Sequence, residues 1–219
     1  MAFFKHLLIK KNLLNNNAFI WNSEKITINP IKKINTIDLD LLVSIERQKK
    51  TLLENTINFS IGNFTNNALL WGTRGNGKST LIKSIFATLS NEYNNLRLIQ
   101  LNKNNIFDIE KIYQLIGKFS QMRFIIFIDD LSFEKIDSDY KIIKSTLDGS
   151  ILNQPKNVIL YITSNRRHLM SRDMIDNERS SAIHTDESVE EKISLSDRFG
   201  LWIGFHKISQ EVYINIIKS

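Results

Sequence analysis

Apolar positions along the chain gather into short dense stretches separated by segments of helical spacing. Phe124–Ile128, Val158–Ile162 and Leu201–Phe205 are near-continuous apolar runs, the pattern of strands buried on both faces. Ala68–Trp71 and Leu96–Leu101 read as two further strands. Between them, Leu81, Ile82, Ile85, Phe86 and Leu89 share one helix face, and Ile109, Ile112, Leu115 and Ile116 another within 108–118. Ile208, Val212, Tyr213, Ile216 and Ile217 suggest a closing helix. Strands alternating with helices, each pair open to a right-handed crossover, predict an α/β fold: a doubly wound, five-stranded parallel sheet.

The chain has 219 residues and only two prolines, with no glycine- or serine-rich tract and no internal repeat. That suits one domain with short appendages: an N-terminal extension over 1–40, a core over 41–207 and the start of a helix over 208–219. The opening Met1–Lys11 is apolar and basic, without the long uncharged core and small-residue cleavage site of a signal peptide. Its charges are all Lys, where an organelle-targeting segment would carry Arg and Ser, so a helix packed on the domain or on a partner is expected. No apolar run approaches the roughly 20 residues of a transmembrane segment.

The absence of cysteine removes disulfides and cysteine zinc sites, and four scattered histidines do not form a metal cluster. It fits a reducing compartment, cytoplasmic or an organellar matrix or stroma. A net charge of +6 and a pI near 9.4 permit attraction to nucleic acid or an anionic membrane. Lys is spread rather than blocked, within a general enrichment in Lys, Asn and Ile, so charge alone assigns no nucleic-acid partner.

The most specific chemistry lies in Gly72-Thr73-Arg74-Gly75-Asn76-Gly77-Lys78-Ser79-Thr80, which satisfies Gly-x-x-x-x-Gly-Lys-Ser between a strand and a helix. A glycine-rich turn in that position lets backbone N–H groups converge on a phosphate chain, where the helix dipole adds positive potential. Gly72, Gly75, Asn76, Gly77, Lys78, Ser79 and Thr80 are the expected nucleotide-binding residues. Lys78 would reach the β- and γ-phosphates, and the Ser79 hydroxyl would ligate Mg²⁺.

The strand 124–128 runs into Asp129-Asp130. Ligands of such sheets bind at the carboxyl ends of the strands, which sets both carboxylates toward the phosphate loop. Asp129 is placed to hold Mg²⁺ directly or through water. Asp130 is placed to orient or deprotonate an attacking water, although Glu is the more usual residue there. The next strand ends in Thr163-Ser164-Asn165, and the Asn165 amide could contact a γ-phosphate and position the water, or simply serve as a turn residue. Arg166, Arg167 and His168 follow at once and could meet phosphate, a neighbouring subunit or solvent.

Together the loop 72–80, the strand Phe124–Asp130 and Asn165 resemble Walker A, Walker B and sensor 1 of AAA+ ATPases. Four longer strings resemble one branch of bacterial AAA+ ATPases known only as a domain of unknown function: Asn66–Gly72, Asp129–Glu134, Thr163–Leu169 and Ser194–Trp202. The resemblance covers roughly residues 18 to 217. It implies ATP and Mg²⁺ as ligands, a P-loop core, and assembly as a ring or filament with ATP between subunits. Arg198, within Ser196-Asp197-Arg198-Phe199-Gly200, resembles the arginine finger that reaches a neighbour's site; a surface ion pair is its bland alternative. Val43 and Ile45, in Val43-Ser44-Ile45-Glu46-Arg47-Gln48, resemble the adenine-contacting segment, or are ordinary core residues. The family commonly carries Gly where Ser44 stands. It also carries a helical lid after the core, and here the matching sequence stops within the lid's first helix, so a truncated or absent lid is expected.

Three functions compete on these residues. The first is a Mg²⁺-dependent ATPase, with Lys78, Asp130, Asn165 and Arg198 as catalytic groups, acting as a homo-oligomer. The second is a nucleotide-switched binding or loader module with little turnover and a protein or nucleic-acid partner, suggested by the missing lid and by Asp130. The third, a small-molecule kinase, uses the same phosphate loop but fits Asn165 and the Ser-Asp-Arg-Phe segment less well.

Overall fold

A computed structural model describes residues 2–132, 138–147, 154–167, 169 and 199–206. Arg198 and the segment 208–219 expected to begin a lid lie outside these described residues.

The chain opens with helix α1 (Ala2–Asn15), then strands β1 (Ala18–Asn22) and β2 (Thr27–Pro30) and a short 3-10 turn, Leu39–Leu41. Helix α2 (Glu46–Ser60), β3 (Ala68–Gly72), α3 (Lys78–Glu92) and β4 (Leu96–Leu101) follow. Next come α4 (Ile109–Ile116), entered through a 3-10 stretch Lys103–Asp108, then β5 (Arg123–Ile128), α5 (Ser138–Leu147), β6 (Val158–Ser164) and β7 (Leu201–Phe205). The five expected strands form one parallel sheet in the order β4-β5-β6-β3-β7. Two further strands extend it: β1 adds in parallel beside β4, and β2 folds back antiparallel on β1. The residues 18–30, part of the expected N-terminal extension, thus continue the core sheet.

Period-two alternation sorts each strand between two cores. Phe124, Ile126 and Ile128 face one cluster with Ile109, Ile112 and Ile116 of α4 and Ile9 and Leu13 of α1. Ile125 and Phe127 face the other, with Leu81, Ile82, Ile85, Phe86 and Leu89 of α3 and Leu52 and Phe59 of α2. Burial on both faces is why these strands read as unbroken apolar runs. A polar anchor within this packing is satisfied: the Tyr161 hydroxyl lies 2.8 Å from Thr56 Oγ1 and accepts from Asn55 Nδ2 at 3.0 Å, fixing α2 against β6. Burial pushes the Tyr161 phenol up to about 12, against the lowering effect of its hydrogen bonds with Thr56 and Asn55.

The N-terminal hairpin is fastened by Asp108, which is fully buried. Its Oδ2 accepts from Trp21 Nε1 at 2.9 Å and from Ser23 Oγ, while Oδ1 accepts from Lys111 Nζ at 2.6 Å. On the α1 side, buried Arg97 donates from Nε to Leu13 O at 2.7 Å and from Nη1 to Asn94 O and Leu96 O at 2.8 Å. The bond to Leu13 O satisfies a carbonyl in the last turn of α1, where intrahelical donors run out. Among the described residues no helix is long and apolar enough to cross a membrane.

Candidate functional site

The carboxyl ends of β3, β5, β6 and β7 open onto a cavity of about 620 Å³, within the usual range for a small-molecule site. Its floor is the loop between β3 and α3. Gly75 and Gly77 both take φ of +79°, a conformation that favours glycine and lets the loop turn straight into α3. Lys78, Ser79 and Thr80 form the first turn of α3, where N–H groups lack intrahelical acceptors.

Gly72 has a different reason to be glycine. Its φ is +142°, and a Cβ there would lie 2.0 Å from Phe205 O, so the first glycine of the motif permits β3 and β7 to approach. Asn76 ties the same two elements, donating from Nδ2 to His206 O and to Thr73 Oγ1, both at 2.7 Å.

Lys78 is buried with its ammonium folded against the loop, donating to Gly72 O and Thr73 O at 2.7 Å and to Asn165 Oδ1 at 3.3 Å. Burial lowers its pKa below the ordinary lysine value; Asp130 and Asp129 oppose that shift and Arg74 adds to it. Ser79 Oγ donates to Asp129 Oδ1 at 2.5 Å, and Thr163 Oγ1 donates to the same oxygen at 2.6 Å. Asp130 follows with φ of +52°, its N–H bonded to Thr163 Oγ1 at 2.9 Å. Its carboxylate accepts from Asn165 Nδ2 and faces Arg74 Nη2 at 3.5 Å and Lys103 Nζ at 3.7 Å.

The structure therefore brings Lys78, Ser79, Asp129, Asp130 and Asn165 together, with Val43 and Ile45 on the cavity wall and Arg198 outside the described residues. Ser44 between the two wall residues has φ of +65°, and its N–H donates to Glu46 Oε1 at 2.8 Å. The Ser79 hydroxyl and Asp129 carboxylate are hard oxygen donors suited to Mg²⁺, and the N–H groups of the first turn of α3 suit a phosphate chain.

Sequence reading did not single out Thr163, Arg74 or Lys103, whose parts depend on which strand tips lie side by side. It also passed over Gln48, which donates to Gly204 O at 2.9 Å and secures α2 to β7. Arg167 stands over the rings of Trp71, at 5.3 Å, and Trp202, at 5.0 Å, two residues beyond Asn165. That cation–aromatic stack holds the loop after β6 onto β3 and β7.

A parallel sheet in this order, with a Gly-x-x-x-x-Gly-Lys-Ser loop after β3 and Asp129 and Asn165 at adjacent strand tips, defines a P-loop core of the AAA+ type. Solved structures sharing the fold include the Thermotoga maritima RuvB Holliday junction branch migration motor, at 20% identity and TM-score 0.50 over 83% of this chain and 51% of that one. Aeropyrum pernix Orc1, solved in complex with DNA, matches at 16% identity and TM-score 0.53 over 81% of this chain and 51% of that one. The AAA domain of FIGL-1 in complex with ADP matches at 16% identity and TM-score 0.51, over 85% and 61%. This chain spans about half the length of the RuvB and Orc1 chains it matches. Residues 14–219 match the family described as "Protein of unknown function (DUF815)", and the chain belongs to that family. No curated protein matches it in sequence.

Proposed function

We propose that the chain binds ATP with Mg²⁺ and hydrolyses it, with full activity in an oligomer. The observation carrying this reading is the convergence of Lys78, Asn165, and the Ser79–Asp129 pair in one cavity behind a phosphate-binding loop. The first turn of α3 and Lys78 bind the phosphates, Ser79 and Asp129 hold the metal, and Val43 and Ile45 flank the base. Asp130 orients or deprotonates the attacking water, Asn165 keeps it in line, and Arg198 serves a neighbouring copy's site. Mg²⁺ held by Ser79 and Asp129 would supply neutralisation of the charge on the phosphate chain. A finger such as Arg198 is worth on the order of 10³–10⁵ in rate in related chemistry.

The test is phosphate release from Mg²⁺-ATP over a range of protein concentrations, with Lys78→Ala as control. Specific activity that climbs with concentration and disappears in the control is expected. Activity independent of concentration would remove the shared site, and activity persisting in the control would remove the site altogether.

A second reading has its own support. The Asp130 carboxylate is engaged by Asn165, Arg74 and Lys103, and it is one methylene shorter than the usual Glu. A base held this way favours a nucleotide-dependent switch with slow turnover and a protein or DNA partner. Tight ATP binding with negligible release at every concentration would select this reading over the first.

A further inference from the structure

Away from the nucleotide cavity, α1 presents an unusual outward face. Its inward side is set by Ile9 and Leu13, which are buried in the core under β1. At 100° per residue the opposite side carries Leu7, Lys11 and Leu14, flanked by Leu8 and Lys10. Leu7, Leu8 and Leu14 are 54%, 59% and 62% exposed, and both lysines are exposed. A helix that only covered its own domain would place polar residues at those leucine positions. Charge is equally one-sided: the first 23 residues contain three lysines and no Asp or Glu, the first acid being Glu24.

We propose that α1 docks on an anionic lipid surface, its leucines entering the headgroup–acyl boundary and Lys10 and Lys11 meeting lipid phosphates. The composition of the face selects this occupant. Nucleic acid would use the lysines and leave three leucines in water. A second copy would use the leucines but set lysines of one face against those of the other. An anionic bilayer accommodates both kinds of residue at once. With 14 residues, α1 is about two thirds of the length needed to span a bilayer, so it lies on the surface.

The experiment is co-sedimentation of the full chain with phosphatidylcholine vesicles, with and without phosphatidylglycerol. Binding is expected only to the anionic vesicles and should weaken as salt is raised. Lys10→Gln with Lys11→Gln should reduce partitioning by about twenty-five-fold, at roughly fivefold per lysine. Leu7→Gln, Leu8→Gln and Leu14→Gln together should abolish it while leaving the unfolding midpoint unchanged, since these side chains point outward. Failure of the parent chain to bind anionic vesicles overturns the proposal, as does undiminished binding of the triple leucine variant. Self-association without vesicles that the leucine variant abolishes would assign the face to a second copy instead. Binding to a short DNA duplex, lost in the lysine variant but not in the leucine variant, would assign it to nucleic acid.

Discussion

Ser79 Oγ donates to Asp129 Oδ1 across 2.5 Å, joining the first turn of α3 to the tip of β5. The strand leading into α3 is not a neighbour of β5: β6 runs between β5 and β3 and contributes Thr163, whose hydroxyl donates to the same oxygen at 2.6 Å. One carboxylate oxygen thus collects two hydroxyls, which orients it toward the phosphate loop. Ser79 and Asp129 so placed could give up this hydrogen bond to hold a shared cation, the hydroxyl keeping its proton, since both oxygens are hard donors.

Asp129→Asn keeps the shape of this cluster and removes its charge. Phosphate release supported by Mg²⁺ should fall by on the order of 10²–10³-fold, while nucleotide affinity in the presence of chelator stays close to the parent's. Nucleotide titrations with and without Mg²⁺ would measure both. Equal tightening by Mg²⁺ in parent and variant would take Asp129 out of the metal site.

Lys78 has a stability consequence apart from binding. Its folded pKa is depressed by burial, so the folded chain binds fewer protons than the unfolded one in the window just below 10.5. The charged, desolvated ammonium is therefore a cost to folding below the folded pKa, relieved as pH rises through that window. Lys78→Met should leave the apo chain at least as stable as the parent at neutral pH. It should also lose the stabilisation by ATP, which for a competent site is about 4 kcal/mol at a ligand concentration of 1,000 Kd. Thermal unfolding with and without nucleotide reads both effects, and a variant that melts earlier in the absence of ATP would contradict the first.

Ser44 occupies a left-handed backbone conformation, φ +65°, on the wall of the cavity between Val43 and Ile45. A Cβ in that region costs about 1–2 kcal/mol, and glycine avoids it at the expense of more freedom in the unfolded chain. Ser44→Gly should stabilise the chain by about 1 kcal/mol or slightly less. Ser44→Val, β-branched, should destabilise it by more than that. Urea unfolding of the three chains decides; a glycine variant less stable than the parent would show that a side-chain contact outweighs the strain.

What the sequence reveals and conceals follows from how local each constraint is. Phe124–Ile128 and Val158–Ile162 were legible because burial on two faces permits no polar interruption, and the 72–80 loop because its spacing reports backbone chemistry directly. The β1–β2 hairpin was not recognised. Ala18–Asn22 is five residues long with Ile20 exposed, and its parallel partner β4 lies more than 70 residues onward. A polar turn at Asn22–Lys25 between two β-branched or aromatic stretches was the available signal. Arg74 and Lys103 look like ordinary surface cations until the sheet order sets them beside Asp130. Gly72 misleads in the opposite direction: the motif suggests a phosphate above it, and the close contact in the structure is Phe205 O.

Asp108 fastens that hairpin and offers a test of how far it supports the core. Burial pushes its carboxyl up, but hydrogen bonds from Lys111, Ser23 and Trp21, with the charge of Lys111, outweigh burial and hold it below the usual carboxylate value of 3.8. A depressed folded pKa means stability fully present above 3.8 and lost as pH falls through the lower, folded value. Asp108→Asn should cost about 2 kcal/mol near neutral pH, the loss expected for charged hydrogen bonds in a buried position. As pH falls below 3.8 and through the lower, folded value, the parent should surrender this advantage, so the two unfolding curves converge. A gap that stays constant down to acid pH would mean that the side chain contributes through packing rather than through its charge. If β1 and β2 detach on their own, amide hydrogen exchange in Asp108→Asn would rise in 18–30 while β5 and β6 keep the protection of the parent.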